Sequence, residues 1–369
     1  MSSQIYKNQI PQDWEVVKLE GIVEIYDNLR IPVAASLRKF GTTPYYGANG
    51  IQDYVDGFTH NGEFVLIAED GANDLINYPV NYVNGEIWVN NHAHVVSGKN
   101  KIVNNKFLSY CLKITNFSKF IVGGTRTKLN GSILKNIEIL LPKDKAEQER
   151  IAQVLGDMDE LIGAKCELLD KKRAIKQAAA QQLLTPKPHW HTTTIGEICE
   201  ISAGGDLSRL TFSPIKTDKF LNPIYSNAVS DNGLYGYSSD FDYEGNFITV
   251  TARGYIGYAA ARNGKFCSIG RLLNLKPKLN ISCFYVAEYI NHFIDFVIES
   301  TGVPQLTAPQ ISKYKISLPK DKTEQEKIAQ ILSDMDDEIS ALQDEIEKLK
   351  MIKQGAMDEL LSGKIRLKG

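Results

Sequence analysis

The sequence predicts an α+β protein assembled twice over. Two mixed α/β globular segments are each followed by a long helix, giving a pseudo-two-fold internal repeat. Three observations predict this. Residues 141–160 read LPKDKAEQERIAQVLGDMDE and residues 318–337 read LPKDKTEQEKIAQILSDMDD, identical at fifteen of twenty positions at a constant offset of 177. Each run opens a stretch with apolar residues at helical spacing. Ahead of each run lie short Val, Ile, Tyr and Phe clusters broken by Gly, Asn and Pro, the texture of strands and turns.

The 369 residues suffice for two or three domains with cores of their own, and the 43% hydrophobic and 23% charged content is that of a globular chain. Five cysteines, at 111, 166, 199, 267 and 283, show no CxxC spacing. That argues against a zinc framework and suits a reducing compartment. The opening MSSQIYKNQIPQDW lacks the apolar core of a signal peptide, and no run of about 18 apolar residues exists. We therefore expect a cytoplasmic protein with no membrane partner.

The first globular segment, residues 1–142, contains EFVLIAED (63–70), GEIWVN (85–90) and AHVVSG (93–98), which read as short strands, then a helical stretch from about Asn105 to Phe120. The second, residues 187–318, repeats the plan with NFITVTARG (246–254), YIGYAAAR (255–262) and LLNLKP (272–277), then a helical stretch from about Ser282 to Glu299. Fainter echoes extend the duplication. Trp14, Leu19 and Ile22 recur as Trp190, Ile195 and Ile198; PYYGAN (44–49) recurs as PIYSN (223–227); Leu129 recurs as Leu306.

The helical segments occupy 143–186 and 319–369. Asp144 and Asp321 can cap them, and Glu147 and Glu324 stand three residues on, where a capping-box partner would reach back. In the second helix Ile328, Leu332, Met335, Ile339, Leu342, Ile346 and Leu349 alternate spacings of four and three, a heptad seam. The first keeps Ile151, Leu155, Met158 and Ile162 on the seam, then places Lys165 and Lys172 there. Pro186 and Pro188 stop the first helix; Ser362 and Gly363 stop the second. Helices of about 40 residues, roughly 60 Å, need partners for such stripes. Two-fold repetition makes the pair antiparallel, so we expect a coiled-coil bar separating the two globular segments.

Charge is segregated. No acidic residue lies between Glu86 and Glu138, or between Glu244 and Glu288, whereas residues 318–369 carry 12 acidic against 9 basic side chains. Basic tracts on the globular segments are the footprint of phosphate binding despite a net charge of −2. Two unlike basic heads on a spacer suit a bipartite, asymmetric segment of double-stranded DNA.

At this point the chain resembles the specificity (S) subunits of type I restriction–modification systems over essentially its whole length. The doubled LPKDK-x-EQE-[RK]-IAQ-[VI]-L-x-DMD is similar to that family's LPPLxEQxxIAxxL signature, with Lys-Asp at 143–144 and 320–321 in place of Pro-Leu; GGTRTKLN (123–130) and TGVPQLT (301–307) resemble its end-of-domain pattern. The resemblance implies two target-recognition domains separated by conserved spacer helices, and no catalytic activity in this chain. It implies two modification subunits that bind S-adenosylmethionine and methylate adenine, and restriction subunits that use ATP and Mg²⁺. No cofactor is expected on this chain itself.

For base reading we single out Asn49, Gln52, Asn73, Asn90 and Asn91 in the first segment, and Asn227, Asn232, Arg253 and Gln305 in the second. Asn and Gln can grip adenine N6/N7 and Arg guanine O6/N7, although each also suits a turn that bonds its own backbone. For phosphates we name Lys99, Lys101, Arg126, Lys128, Arg209, Arg262, Lys265 and Arg271. Tyr45, Tyr46, Tyr225 and Tyr255 could stack or fill cores. Asn222-Pro223-Ile224-Tyr225 is a poor version of the adenine methyltransferase NPPY motif and reads better as a strand-leading turn. His92/His94 and His189/His191 could share strand faces, but no carboxylate or thiol lies nearby with supporting spacing, so no metal is expected. A coiled-coil scaffold with protein-binding domains is the alternative reading.

Overall fold

The computed structural model describes residues 10–99, 102–121, 128–278, 280–297 and 304–367. It divides into two compact units, one running to Cys166 and resuming at Glu345, the other spanning Glu167–Asp344. The boundaries fall inside the two long helices, Lys145–Leu184 and Lys322–Leu360, so each unit owns a length of both.

In the first unit a six-stranded sheet runs in the order Val23–Ile25, Ala93–Gly98, His60–Ala68, Val80–Val89, Phe40–Gly47, Gly50–Val55. Its pairings are antiparallel except that of Phe40–Gly47 with Val80–Val89. The helix Asn105–Lys113 follows, shorter than the sequence suggests, with a separate 3-10 turn at Phe117–Lys119. Its N-cap is Asn104, whose side chain accepts from the Phe107 N–H. Phe107, Leu108 and Leu112 pack into one core with Val65, Ile67, Ile151 and Leu155. A two-stranded ribbon, Trp14–Lys18 against Glu138–Pro142, leads into the first long helix.

The second unit has a four-stranded sheet (Cys199–Ala203, Leu273–Pro277, Phe247–Val250, Ala259–Arg262) and a five-stranded one (Phe212–Ser213, Leu234–Ser238, Asn222–Tyr225, Lys265–Ser268, Tyr243–Glu244). The helix Cys283–Phe293 covers its core, capped by Ser282, and the ribbon His191–Thr194 with Lys315–Leu318 leads into the second long helix. The repeat is visible in the backbone. Leu129 N–H donates to Glu69 O at 2.7 Å, and Leu306 N–H donates to Ala252 O at 2.9 Å. Residues 69–71 and 252–254 therefore occupy the same place in the two units.

In both units the helix segments pair antiparallel. Asp159 meets Lys353 at 2.5 Å and Lys165 meets Glu345 at 2.8 Å in the first; Lys172 meets Glu338 and Lys176 meets Asp336, both at 2.6 Å, in the second. The lysines that interrupt the apolar seam of the first helix are thus matched by acids on the second. Both lysines are half-buried, and each carries its ammonium to a carboxylate. Ile328, Leu332, Leu342 and Ile346 are buried, and Met335, Ile339 and Leu349 half-buried; on the first helix Ile151 and Leu155 are buried, Met158 and Ile162 half-buried.

The doubled signature acquires a physical meaning here. Asp144 and Asp321 do cap, each accepting a backbone N–H two residues on at 2.9 Å. Glu147 and Glu324 do not close capping boxes. They turn instead to the indole N–H groups of Trp14 (3.2 Å) and Trp190 (3.1 Å), because the ribbon brings each tryptophan against the helix start. Gln148 accepts from Asn104 N–H (2.9 Å) and donates to Pro142 O (2.8 Å) and Ile102 O (3.0 Å); Gln325 accepts from Ser282 N–H (3.0 Å) and donates to Pro319 O (2.8 Å). Each glutamine therefore latches the cap of the domain helix to the mouth of the long helix.

Candidate nucleic-acid interface

At one end of the sheet in the first unit, several of the singled-out residues come together. Asn49 Nδ2 donates to Gly71 O (2.9 Å), and its Oδ1 accepts from Asn73 N–H (3.0 Å). Asn90 is buried, accepts from His92 N–H (2.8 Å) and reaches Gln52 at 3.4 Å. His92 Nδ1 lies 2.5 Å from Asp70, which is bridged in β fashion to Lys128. Asn73 and Asn91 are exposed. The amides of Asn49 and Asn90 thus shape the loops, while exposed polar groups stand around them.

Beneath this rim lies an ionic cluster that sequence reading missed. Buried His94 presents Nδ1 to Asp27 (2.6 Å) and Nε2 to Leu129 O (2.8 Å); Glu69 binds Arg30 (2.6 Å) and Lys128 (2.9 Å). Two oxygen acceptors on one imidazole call for both protons. Burial opposes the charge, but Asp27, the Leu129 carbonyl and Glu69 outweigh it, so the His94 pKa is raised. Asp27 and Glu69 are likewise penalised by burial, yet end below their ordinary values through His94, Lys128 and Arg30. Asp27, Glu69 and His94 lie close enough to hold a metal ion. The two carboxylates already face Arg30, Lys128 and His94, and both His94 nitrogens are turned to oxygen acceptors of the chain itself. His92 and His94 do not converge, since each ring finds its own carboxylate.

The second unit builds the corresponding rim from different side chains. Asn227 Nδ2 donates to Gly270 O and its Oδ1 accepts from Ala252 N–H, both at 2.7 Å. Arg253, in the place of Asp70, meets Gln305, in the place of Lys128. Arg271 follows Gly270 and is exposed at φ 67°. Asn232, also left-handed at φ 52°, accepts from Tyr258 Oη at 2.5 Å.

The other singled-out residues lie elsewhere or are engaged. Lys99 Nζ donates to the carbonyls of Glu20 (3.0 Å) and Gly21 (3.1 Å). Arg262 covers the Tyr225 ring at 3.7 Å and donates to Thr249 and the Asn232 carbonyl. Lys265 sits over Phe241 near Glu244, at the strand end away from Arg253. Arg209 is exposed. Lys101 and Arg126 lie outside the described residues. Tyr45 is buried, its hydroxyl within 3.0 Å of Val33 N–H; Tyr46 and Tyr225 are half-buried, and Tyr255 is exposed. Asn222 donates to the carbonyls of Asp240 (3.2 Å) and Ser239 (3.5 Å), a structural use of the NPIY segment.

The family model for the type I restriction modification DNA specificity domain matches this chain twice, at residues 11–171 and 188–351. The chain belongs to that family. The two matches bracket the two rims, and they favour DNA specificity over a protein-binding scaffold. A putative type I restriction enzyme specificity subunit of Haemophilus influenzae is 48% identical over 143 residues, 39% of this chain and 37% of that protein. A putative specificity subunit of Mycoplasma pneumoniae is 27% identical over 84% of this chain and 86% of its own length. The type I restriction enzyme MjaVIII specificity subunit of Methanocaldococcus jannaschii is 25% identical over 98% and 95%. Among solved structures, the S subunit of a type I system from M. genitalium superposes with a TM-score of 0.74 at 17% identity, covering 96% of this chain and 97% of its own, which shows a shared fold. Among the described residues of this specificity-family chain, no helix is long and apolar enough to cross a membrane.

Proposed function

We propose that this chain is the non-catalytic specificity subunit of a cytoplasmic type I restriction–modification complex. Each globular segment (1–142 and 187–318) reads one half of a bipartite, asymmetric duplex target. The helical segments (143–186 and 319–369) set the spacing and dock two modification subunits, through which restriction subunits join. Methyl transfer from S-adenosylmethionine and ATP- and Mg²⁺-dependent cleavage belong to those partners; this chain contributes recognition and positioning.

The observation that carries the reading is the pair of equivalent rims that share an asparagine and otherwise differ in their side chains. Asn49, Asp70, His92 and Lys128 stand in one, Asn227, Arg253, Arg271 and Gln305 in the other. One scaffold with two chemistries suits a target whose halves differ. The test is co-expression with the cognate modification subunit, followed by methylation-sensitive sequencing. Adenine methylation confined to a two-part asymmetric site is expected; methylation indifferent to sequence refutes the proposal. Duplex affinity should also fall steeply with salt as counterions are released.

A further inference from the structure

We propose that Arg253 reads a guanine in the half-site of the second unit, and that Gln305 is a positioning residue that aims it. The inference rests on the DNA-reading role proposed above and deepens it to one base. Gln305 Oε1 accepts from both Nε (3.1 Å) and Nη2 (2.8 Å) of Arg253. Those two hydrogens form the side edge of the guanidinium. The end edge, made by Nη1 and the outer hydrogen of Nη2, carries no partner among the described residues, and Arg253 is exposed. That end edge is the planar fork that matches guanine O6 and N7.

The support behind the pair is rigid. Between them lies the backbone bond from Leu306 N–H to Ala252 O (2.9 Å), and Asn227 Oδ1 holds the Ala252 N–H (2.7 Å). The turn beyond is closed by Thr251 N–H to Tyr258 O and by Tyr258 N–H to Thr251 Oγ1, both at 2.9 Å. A neutral glutamine fixes the fork without cancelling its charge, as a carboxylate would. In the first unit the same two places hold Asp70 and Lys128, which offer no guanidinium. The effect of Arg253 should therefore be confined to the half-site of the second unit, and the other half-site is an internal control.

The wild-type complex is first mapped by methylation-sensitive sequencing. Indifference to sequence there refutes the underlying function, not this assignment. Each guanine of the mapped site is then replaced in turn by 7-deazaguanine, which lacks the N7 acceptor, and duplex binding is measured. One guanine of the second unit's half-site should cost roughly ten- to hundredfold in affinity. R253A should bind the native and the 7-deaza duplex equally, with the other half-site read as before. Q305A should relax discrimination at that same base, and Q305E, which keeps the acceptor, should restore that discrimination while lowering overall affinity, because the carboxylate offsets the charge of the fork. A half-site without guanine, or an R253A complex as sensitive to the substitution as wild type, overturns the assignment. So does an R253A loss spread evenly over all sequences, the mark of a phosphate contact. Should R253A fail to fold, the Q305A and Q305E pair reads the same base and decides alone.

Discussion

Replacing Gln148 by Ala isolates what the repeated Glu-Gln does for the fold. The side chain is fully buried and makes three hydrogen bonds, to Asn104 N–H, Ile102 O and Pro142 O. At about 1 kcal/mol each, with a further penalty for the orphaned Asn104 N–H, the loss is about 3–4 kcal/mol. Gln325→Ala removes two such bonds, to Ser282 N–H and Pro319 O, and should lose about 2–3 kcal/mol. Hydrogen exchange on the full chain reads this locally, because opening free energies differ between segments. In Q148A the amides of Phe107–Leu112 and Ile151–Leu155 should exchange at least about tenfold faster while those of Val286–Ile290 hold; in Q325A the pattern should reverse. A change under about twofold, or equal acceleration in both units by either variant, would refute the latch.

Three more outcomes are expected. Arg366 donates to both Glu147 oxygens (2.6 and 2.7 Å) and to Asp13, and this bond chiefly holds the Glu147 carboxyl below its usual range. Arg366→Ala leaves that buried carboxylate with only the neutral Trp14 indole and Leu367 backbone donors and should cost about 2–4 kcal/mol, with strong coupling to Glu147→Gln in a double-mutant cycle; additivity would show the contact to be idle. His94, whose pKa is raised by the fold, lends stability in full below about pH 6.5 that declines as pH climbs through its folded value, whereas Asp27 and Glu69, with lowered values, lend theirs above about pH 4 and lose it on acidification. Urea titrations at several pH values should show the alkaline decline in wild type and not in H94Q. Finally, a heptad inserted after Ala178 with a matching heptad beside Asp334 lengthens the paired helices by about 10 Å, roughly three base pairs, and should widen the gap between half-sites by that much with both halves unaltered. A changed half-site at constant gap contradicts the spacer role.

Local periodicity made much of the architecture legible. The alternation of four and three along Ile328 to Leu349 needs no tertiary information, because helical geometry maps that spacing onto one face. Asp144 and Asp321 were readable as caps for the same reason: their partners lie two residues away. Glu147 and Glu324 show where such reading stops. The capping-box spacing is present, but tryptophans 133 and 134 residues distant claim the carboxylates. The only sequence signal was that Trp14 and Trp190 recur alongside the repeated Glu.

The interface was harder to foresee for a similar reason. Choosing Asn, Gln and Arg beside glycine turns picked out residues that the fold gathers into loops, around Asn49 in one unit and around Asn227 and Arg253 in the other. Which amides face outward depends on backbone groups up to 43 residues away, as for Asn227 and Gly270. The cluster of Asp27, Arg30, Glu69, His94 and Lys128 leaves no local trace, since its members are drawn from segments whose only link is the sheet.

By itself, then, the sequence determined the tandem copying, the two helices with their seam and caps, and the segregation of basic tracts, all properties carried by residues a few positions apart. Only the tertiary structure decided that each compact unit takes a length of both helices, that the seam lysines answer acids on the other helix, and that Gln305 accepts from Arg253. Those pairings join residues tens to hundreds of positions apart. Nothing in local spacing encodes them, because they exist only once strand register and helix pairing have brought distant segments within hydrogen-bonding reach.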